Sequence, residues 1–180
     1  MKMLLKRFAS FVLPLCFFAT STHAASPHGN TGVGIVLGDP SGITVKHWMD
    51  SRSAIDGGLA YALSDFVLIT GDYLYHFTIH PGGGGKDAEF RRFLSDLRPY
   101  VGVGGILLAS TRSTRTQKAL FVDTSGSSAS LGLGLRIPLG VEWIPSGPPL
   151  GVFLELAPGI GIIPGTFAFL NAGIGVRFYF

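Results

Sequence analysis

Seven charged residues stand at one phase of a two-residue alternation whose other phase is apolar: Lys46, Asp56, Asp72, Arg136, Glu142, Glu155 and Arg177. Side chains of a strand point alternately to opposite faces, so such a set shares one surface of a sheet. Three cations and four carboxylates at close quarters form ion pairs. The network they build is either a plug or, if the pairs exchange partners, a gate on a narrow ion path. Two carboxylates facing one another are also the equipment of a glycosidase. Carboxylates buried beside arginines stay ionised, however, and make poor general acids.

The remaining candidates carry less. His76 and His80 are separated by roughly 13 Å if both lie on a strand rising about 3.3 Å per residue, too far to share one metal ion. His47 falls near an interface and His28 in the N-terminal tail, so neither completes a ligand cluster. Gly82 to Gly85 followed by Lys86 has the look of a phosphate loop, but Asp87 stands where such a loop needs Ser or Thr. No cofactor, metal centre or catalytic constellation is expected. Lipid A-modifying enzymes also use eight-stranded barrels, yet the His-x-Ser pair of the deacylase type is missing from the late segments.

The elements that hold these charges follow from composition and pattern. The 180 residues suffice for one domain; 47% are hydrophobic and 14% charged, while 26 Gly and 11 Pro oppose long helices. Lys2, Lys6 and Arg7 precede an apolar run from Phe8 to Ala19 and the small-residue site Thr22-His23-Ala24, which reads as a secretory signal peptide over 1–24 cleaved after Ala24. The lipoprotein alternative would acylate Cys16, but Leu13-Pro14-Leu15 lacks the small residue that should precede it. Cys16 is the one cysteine, so the mature chain has no disulfide. The three basic residues of the signal also account for the whole net charge of +3, which leaves a neutral mature chain with no basic face for nucleic acid.

Leu150 to Leu170 is the best mature candidate for a membrane helix, and Pro158, Pro164, several glycines and Glu155 break it. A period of two accommodates them all. From Leu170 onward, Leu170, Ala172, Ile174, Val176, Phe178 and Phe180 oppose Asn171, Gly173, Gly175, Arg177 and Tyr179, the lipid-out and lumen-in pattern of a membrane barrel. Segments 55–63, 67–79, 133–143 and 150–160 repeat it. A soluble barrel has the same alternation with polar side chains outside; the signal peptide and outward aromatics favour the membrane.

Strands are expected at 32–38, 42–48, 54–63, 66–79, 99–109, 130–144, 149–162 and 167–180, an all-β, eight-stranded antiparallel up-and-down transmembrane β-barrel over residues 25–180. With periplasmic termini, the turns at Asp39 to Ser41, Ser64 to Asp65 and Ile163 to Gly165 and the long loop Arg112 to Ser128 face outside. His80 to Arg98 is then an unusually long periplasmic segment. Within it Phe90, Phe93, Leu94 and Leu97 recur at helical spacing opposite Arg91, Arg92 and Asp96, which suggests a short amphipathic helix on the membrane surface or else a partly ordered turn. Trp143, Phe77, Phe178 and Phe180 fall in a periplasmic aromatic belt.

The runs GIVLGDPSGITVKHW, SAIDGGLA, ITGDYLYHF, RIPLGVEWI, FLELAPGIG and NAGIGVRFYF resemble an uncharacterised family of small bacterial outer-membrane β-barrels known from spirochaetes and other bacteria. The resemblance implies an OmpA-like transmembrane barrel in the outer membrane with no assigned reaction. It departs from the family pattern at Ile106 and Leu108, where a basic lumen residue is expected. Ile174, Val176, Phe178 and Phe180 resemble the signal read by the barrel-assembly machinery. The expected partners are that machinery, outer-membrane lipids and lipopolysaccharide, the last through Arg112, Arg115 and Lys118 of the loop 112–128, which is also the surface for an external ligand. A structural or surface-interaction role with a charge-paired lumen is expected first and a narrow ion-conducting pore second. Val176→Arg should impair assembly more than Gly175→Ser.

Overall fold

The computed structural model describes residues 29–62, 66–80, 88–110 and 131–180. The signal peptide, the Gly82 to Lys86 run and the loop 112–128 lie outside them. The chain runs through β1 (Thr31–Asp39), β2 (Gly42–Trp48), β3 (Ser53–Ala62), β4 (Phe66–His76), α1 (Ala88–Asp96), β5 (Leu97–Ser110), β6 (Leu131–Arg136), β7 (Leu139–Trp143), β8 (Leu150–Ile163) and β9 (Phe167–Tyr179). Every pairing is antiparallel between neighbours, and β9 closes on β1 from Gly32↔Tyr179 to Asp39↔Ala172. A closed sheet leaves no edge with unpaired backbone groups, the condition for strands to cross lipid. No helix among the described residues is long and apolar enough to do so.

The expected strand 130–144 is two pieces. Both β6 and β7 pair with β5 on one side and β8 on the other, so together they make one barrel strand and the barrel has eight. The break falls at Ile137-Pro138 because proline has no N–H for the ladder. Its carbonyl still accepts from Gly102 N (2.7 Å), and Ile137 N donates to Pro158 O (2.9 Å). Strand β4 stops at His76 rather than 79, which leaves Thr78 exposed instead of lumenal. The segment before β5 does contain a helix, Ala88–Asp96, but Leu97 belongs to β5 and pairs with Trp143. The other strand ends fall within two residues of expectation.

Exposure follows the alternation. On β9, Ile174, Val176 and Phe178 are exposed while Gly175, Arg177 and Tyr179 between them are buried. Ile35 and Leu135, 56% and 58% exposed, stand on the same outer face far apart in sequence. A soluble barrel could not present such a continuous apolar exterior.

The inner glycines are seats for large side chains. A Cβ at Gly175 would lie 2.3 Å from Phe153 Cζ, one at Gly140 2.4 Å from Tyr100 Cζ, and one at Gly32 2.7 Å from Tyr179 Cε1. Gly175 is therefore not the tolerant position that the comparison of Val176→Arg with Gly175→Ser requires. Gly71, on the outer face, has nothing within 4 Å of its Cβ direction.

The β2–β3 turn is held by Asp50, whose Oδ1 accepts from the backbone N–H of Arg52 (2.7 Å) and Ser53 (2.8 Å). These bonds hold its carboxyl below the usual carboxylate range, the Arg52 N–H contributing most. A depressed folded value means this contribution is complete above the unfolded value of about 4 and is lost as pH falls through the lowered one.

Ile174→Arg should lower the stability of folding into lipid vesicles by about 2–4 kcal/mol, the cost of a cation on the lipid face near mid-membrane. Gly71→Ala should leave it unchanged, and Gly34→Ala should abolish folding, since its Cβ would meet the Val176 carbonyl oxygen at 2.0 Å. Urea titration in vesicles distinguishes the three; equal tolerance of all would sink the face assignment.

Candidate functional site

Among the described residues the lumen is where charged and polar side chains concentrate, and each wall contributes through its inward phase. From β2 come Thr44, Lys46 and Trp48, from β3 Asp56, from β4 Asp72 and His76, and from β5 Tyr100. Across from them stand Arg136 of β6, Glu142 of β7, Phe153 and Glu155 of β8, and Asn171, Arg177 and Tyr179 of β9. The structure places all seven sequence-derived charges inside the barrel and joins them in two clusters.

In the first, Arg136 clamps Asp72 with both ends of its guanidinium, Nε to Oδ1 at 2.9 Å and Nη2 to Oδ2 at 2.5 Å. The same Nη2 reaches Glu155 Oε1 at 3.1 Å, and the Tyr100 hydroxyl donates to Glu155 Oε2 at 2.8 Å. Bidentate geometry makes this the most directional pair in the lumen.

The second cluster turns on Glu142, which is fully buried. Lys46 forms an ion pair with its Oε2, while Arg177 Nη1 (3.3 Å) and the Tyr179 hydroxyl (2.7 Å) both donate to Oε1. Arg177 also pairs with Asp56 and donates to Thr44 Oγ1 (3.0 Å), whose hydroxyl donates on to Asp56 Oδ1 (2.7 Å). Its guanidinium carbon sits 3.7 Å from the Phe153 ring centroid. Lys46 donates further to His76 Nε2 (2.8 Å) and lies 4.3 Å from the Trp48 ring centroid. Because His76 Nδ1 donates to the Arg52 carbonyl (3.1 Å), both ring nitrogens are engaged as a neutral imidazole.

Below this cluster, toward the end where Asn30 and Phe180 lie, Trp48, Ala54, Ile144 and Tyr179 pack together with no more than 3% exposure. Arg98 covers the Trp48 ring at 5.6 Å. The lumen is closed there. Toward the Asp39-Pro40 turn it opens, among the described residues, into a cavity of about 60 Å³, whose lining includes Asp56, Arg136, Phe153, Glu155, Asn171 and Arg177. Ile106 and Leu108 stand half-buried on β5, with Ile106 against Gly134 and Leu108 against Gly132, where the resemblance called for a basic residue.

Sequence reasoning put Phe153 and Tyr179 on the lumen face without giving them partners, and assigned no part to Thr44, Trp48, Tyr100 or Arg98. The inward parity of hydroxyls and aromatics was the available signal, but only the charged positions were taken as members of the network. His47 is exposed and bonded to Thr31 Oγ1 (2.9 Å); His80 is exposed beyond the end of β4, and His28 lies outside the described residues. No group of three or more His, Cys, Asp or Glu among the described residues can hold a metal ion. Trp143, Phe77, Phe178 and Phe180 lie toward the end where Asn30 and Phe180 meet, and Phe93 of α1 approaches Trp143 to 5.9 Å between ring centroids.

Among solved structures, the N-terminal β-barrel domain of Pseudomonas aeruginosa OprF superposes with a TM-score of 0.52 at 17% identity, over 84% of this chain and 98% of that one. Neisserial surface protein A (0.40, 18%, 84% and 94%) and the outer membrane enzyme PagL (0.42, 12%, 84% and 100%) are more distant in shape. Neither a protein-family model nor a curated protein matches the sequence. The likeness to OprF shows the fold: this chain is a closed, all-antiparallel eight-stranded β-barrel.

Arg136→Met should destabilise the barrel by about 3–5 kcal/mol, because it strands Asp72 and Glu155 in the lumen without a cation. Adding Asp72→Leu should recover part of that loss. A single variant as stable as the parent in urea titration would rule out the Arg136–Asp72 clamp.

Proposed function

We propose that the chain serves in the outer membrane as a closed structural or surface-interaction barrel, reached through cleavage of the signal peptide after Ala24. The observation that carries this reading is the blocked lumen. Lys46, Glu142 and Arg177 are at most 1% exposed, and the Trp48, Ala54, Ile144 and Tyr179 cluster lies beyond them. Removing either partner of a buried pair leaves an uncompensated charge, so the pairs hold the barrel rigid as well as shut.

The alternative is a narrow ion-conducting pore gated by the same charges. Glu142 favours it, since one carboxylate shared by Lys46 and Arg177 can release either cation without being left alone. Single-channel recording in planar bilayers separates the two, with Arg136→Ala/Glu142→Ala as the comparison. Silence in both proteins is the expected result; steady conductance changed by the substitutions would make the protein a gated pore.

We assign it no reaction. Lipid A from cells with and without the protein should give identical mass spectra, and a mass shift would overturn this. Its partners in this reading are lipids, lipopolysaccharide phosphates at the loop 112–128, and the barrel-assembly machinery at Ile174, Val176, Phe178 and Phe180. Helix α1 adds a second lipid contact: Phe90 and Phe93 are 60% and 45% exposed, and the tilted ring contact of Phe93 with Trp143 continues the barrel's apolar exterior. Tryptophan fluorescence of Phe90→Trp should be quenched by brominated lipid, whereas that of Ser95→Trp should not.

A further inference from the structure

The open half of the lumen has more acceptors than the ion network uses. Within the ion network, Asp56, Asp72, Glu142 and Glu155 outnumber Lys46, Arg136 and Arg177. The arginines are also drawn elsewhere, Arg136 to Asp72 and Arg177 to Glu142. Glu155 is left with one shared guanidinium nitrogen and a neutral tyrosine hydroxyl, so the surplus negative charge rests on it.

Asn171 supplies the second observation. It is 5% exposed, it lines the cavity, and its Oδ1 accepts no hydrogen bond from the described residues. A buried amide oxygen in that state is unfavourable until a donor reaches it. The β8–β9 register sets Glu155 opposite Gly173, which makes Asn171 the next lumen-facing position along β9. Gly173 puts no side chain between them. A carboxylate with surplus charge and an unpartnered amide oxygen thus stand one lumen-facing position apart on neighbouring strands, both lining the cavity.

We propose that this vestibule binds the head of a small primary amine, the ammonium donating to Glu155 and Asn171 while the rest of the ligand points out past the Asp39-Pro40 turn. Arg177, a second cavity-lining residue, has a buried Nε without a partner among the described residues, a donor that a hydroxyl next to the amine would meet. An amino alcohol therefore fits better than a plain alkylammonium. The inference rests on the closed lumen proposed above.

The test uses the full protein purified from membranes, with the Asn171 side-chain amide followed by NMR during titration with ethanolamine, methylammonium, acetate and sodium chloride. Ethanolamine should give a saturable shift, methylammonium a weaker one, and acetate none. Glu155→Gln should weaken binding about tenfold, the scale of one charge-assisted hydrogen bond. Asn171→Leu, which removes no hydrogen bond formed by Oδ1, should weaken ethanolamine binding measured by calorimetry about fivefold, the scale of one neutral hydrogen bond, while the barrel keeps its circular dichroism spectrum. Equal responses to ethanolamine and sodium chloride at matched ionic strength, or undiminished binding by Asn171→Leu, would overturn the proposal. Conductance recorded on the same sample keeps the two failures apart: a silent barrel that ignores amines disproves the site alone, and a conducting one disproves the closure beneath it.

Discussion

Charge confined inside a barrel surrounded by hydrocarbon governs this molecule. Eight strands enclose an interior just wide enough for side chains to fill, and the outer surface faces lipid, where a lysine or arginine is costly. Every membrane-level charge must therefore point inward, and each must find an opposite charge or a hydrogen-bond donor within reach. The chain meets that demand by sharing. Glu142 serves Lys46, Arg177 and Tyr179, and Arg136 serves Asp72 and Glu155. Shared partners bind strands distant in sequence into one unit, so the network closes the lumen and secures the wall.

Room for these large polar and aromatic side chains comes from glycine. Tyr100 lies against Gly140, Phe153 against Gly175, Phe169 against Gly159, and Tyr179 against Gly32 and Gly151. Each pair couples a ring on one strand to a missing side chain on another. The arrangement turns an abundance of glycine, which would weaken strands in a soluble sheet, into the packing rule of the interior. It also makes the wall asymmetric in its tolerance, with Gly71 facing open space and Gly34 pressed against a carbonyl.

Much of the wall was legible in the alternation. The β9 residues Ile174, Val176 and Phe178 against Gly175, Arg177 and Tyr179 announce their faces without any structure. Where local chemistry competes with alternation, the reading slips: Pro138 interrupts a strand whose pattern runs through it, and Leu97 fits a helical period but is captured by the ladder opposite Trp143. His76 shows the same limit in the lumen. It was weighed as a metal ligand with His80, whereas it spends its two nitrogens on Lys46 and the Arg52 carbonyl.

By itself the sequence determined which side of the wall each residue takes, because lipid and lumen impose opposite polarity on successive positions and a period of two records this locally. It could not determine which charges meet. Asp72 and Arg136 are 64 positions apart, Lys46 and Glu142 96, and Asp56 and Arg177 121. Those pairings depend on closure and on the register of eight strands at once. The tertiary structure alone decided that Asn171 and Glu155 line one cavity, that Trp48 and Tyr179 seal one end, and that the other is open among the described residues, because depth along a barrel axis is set by stagger between strands and leaves no trace in any one of them.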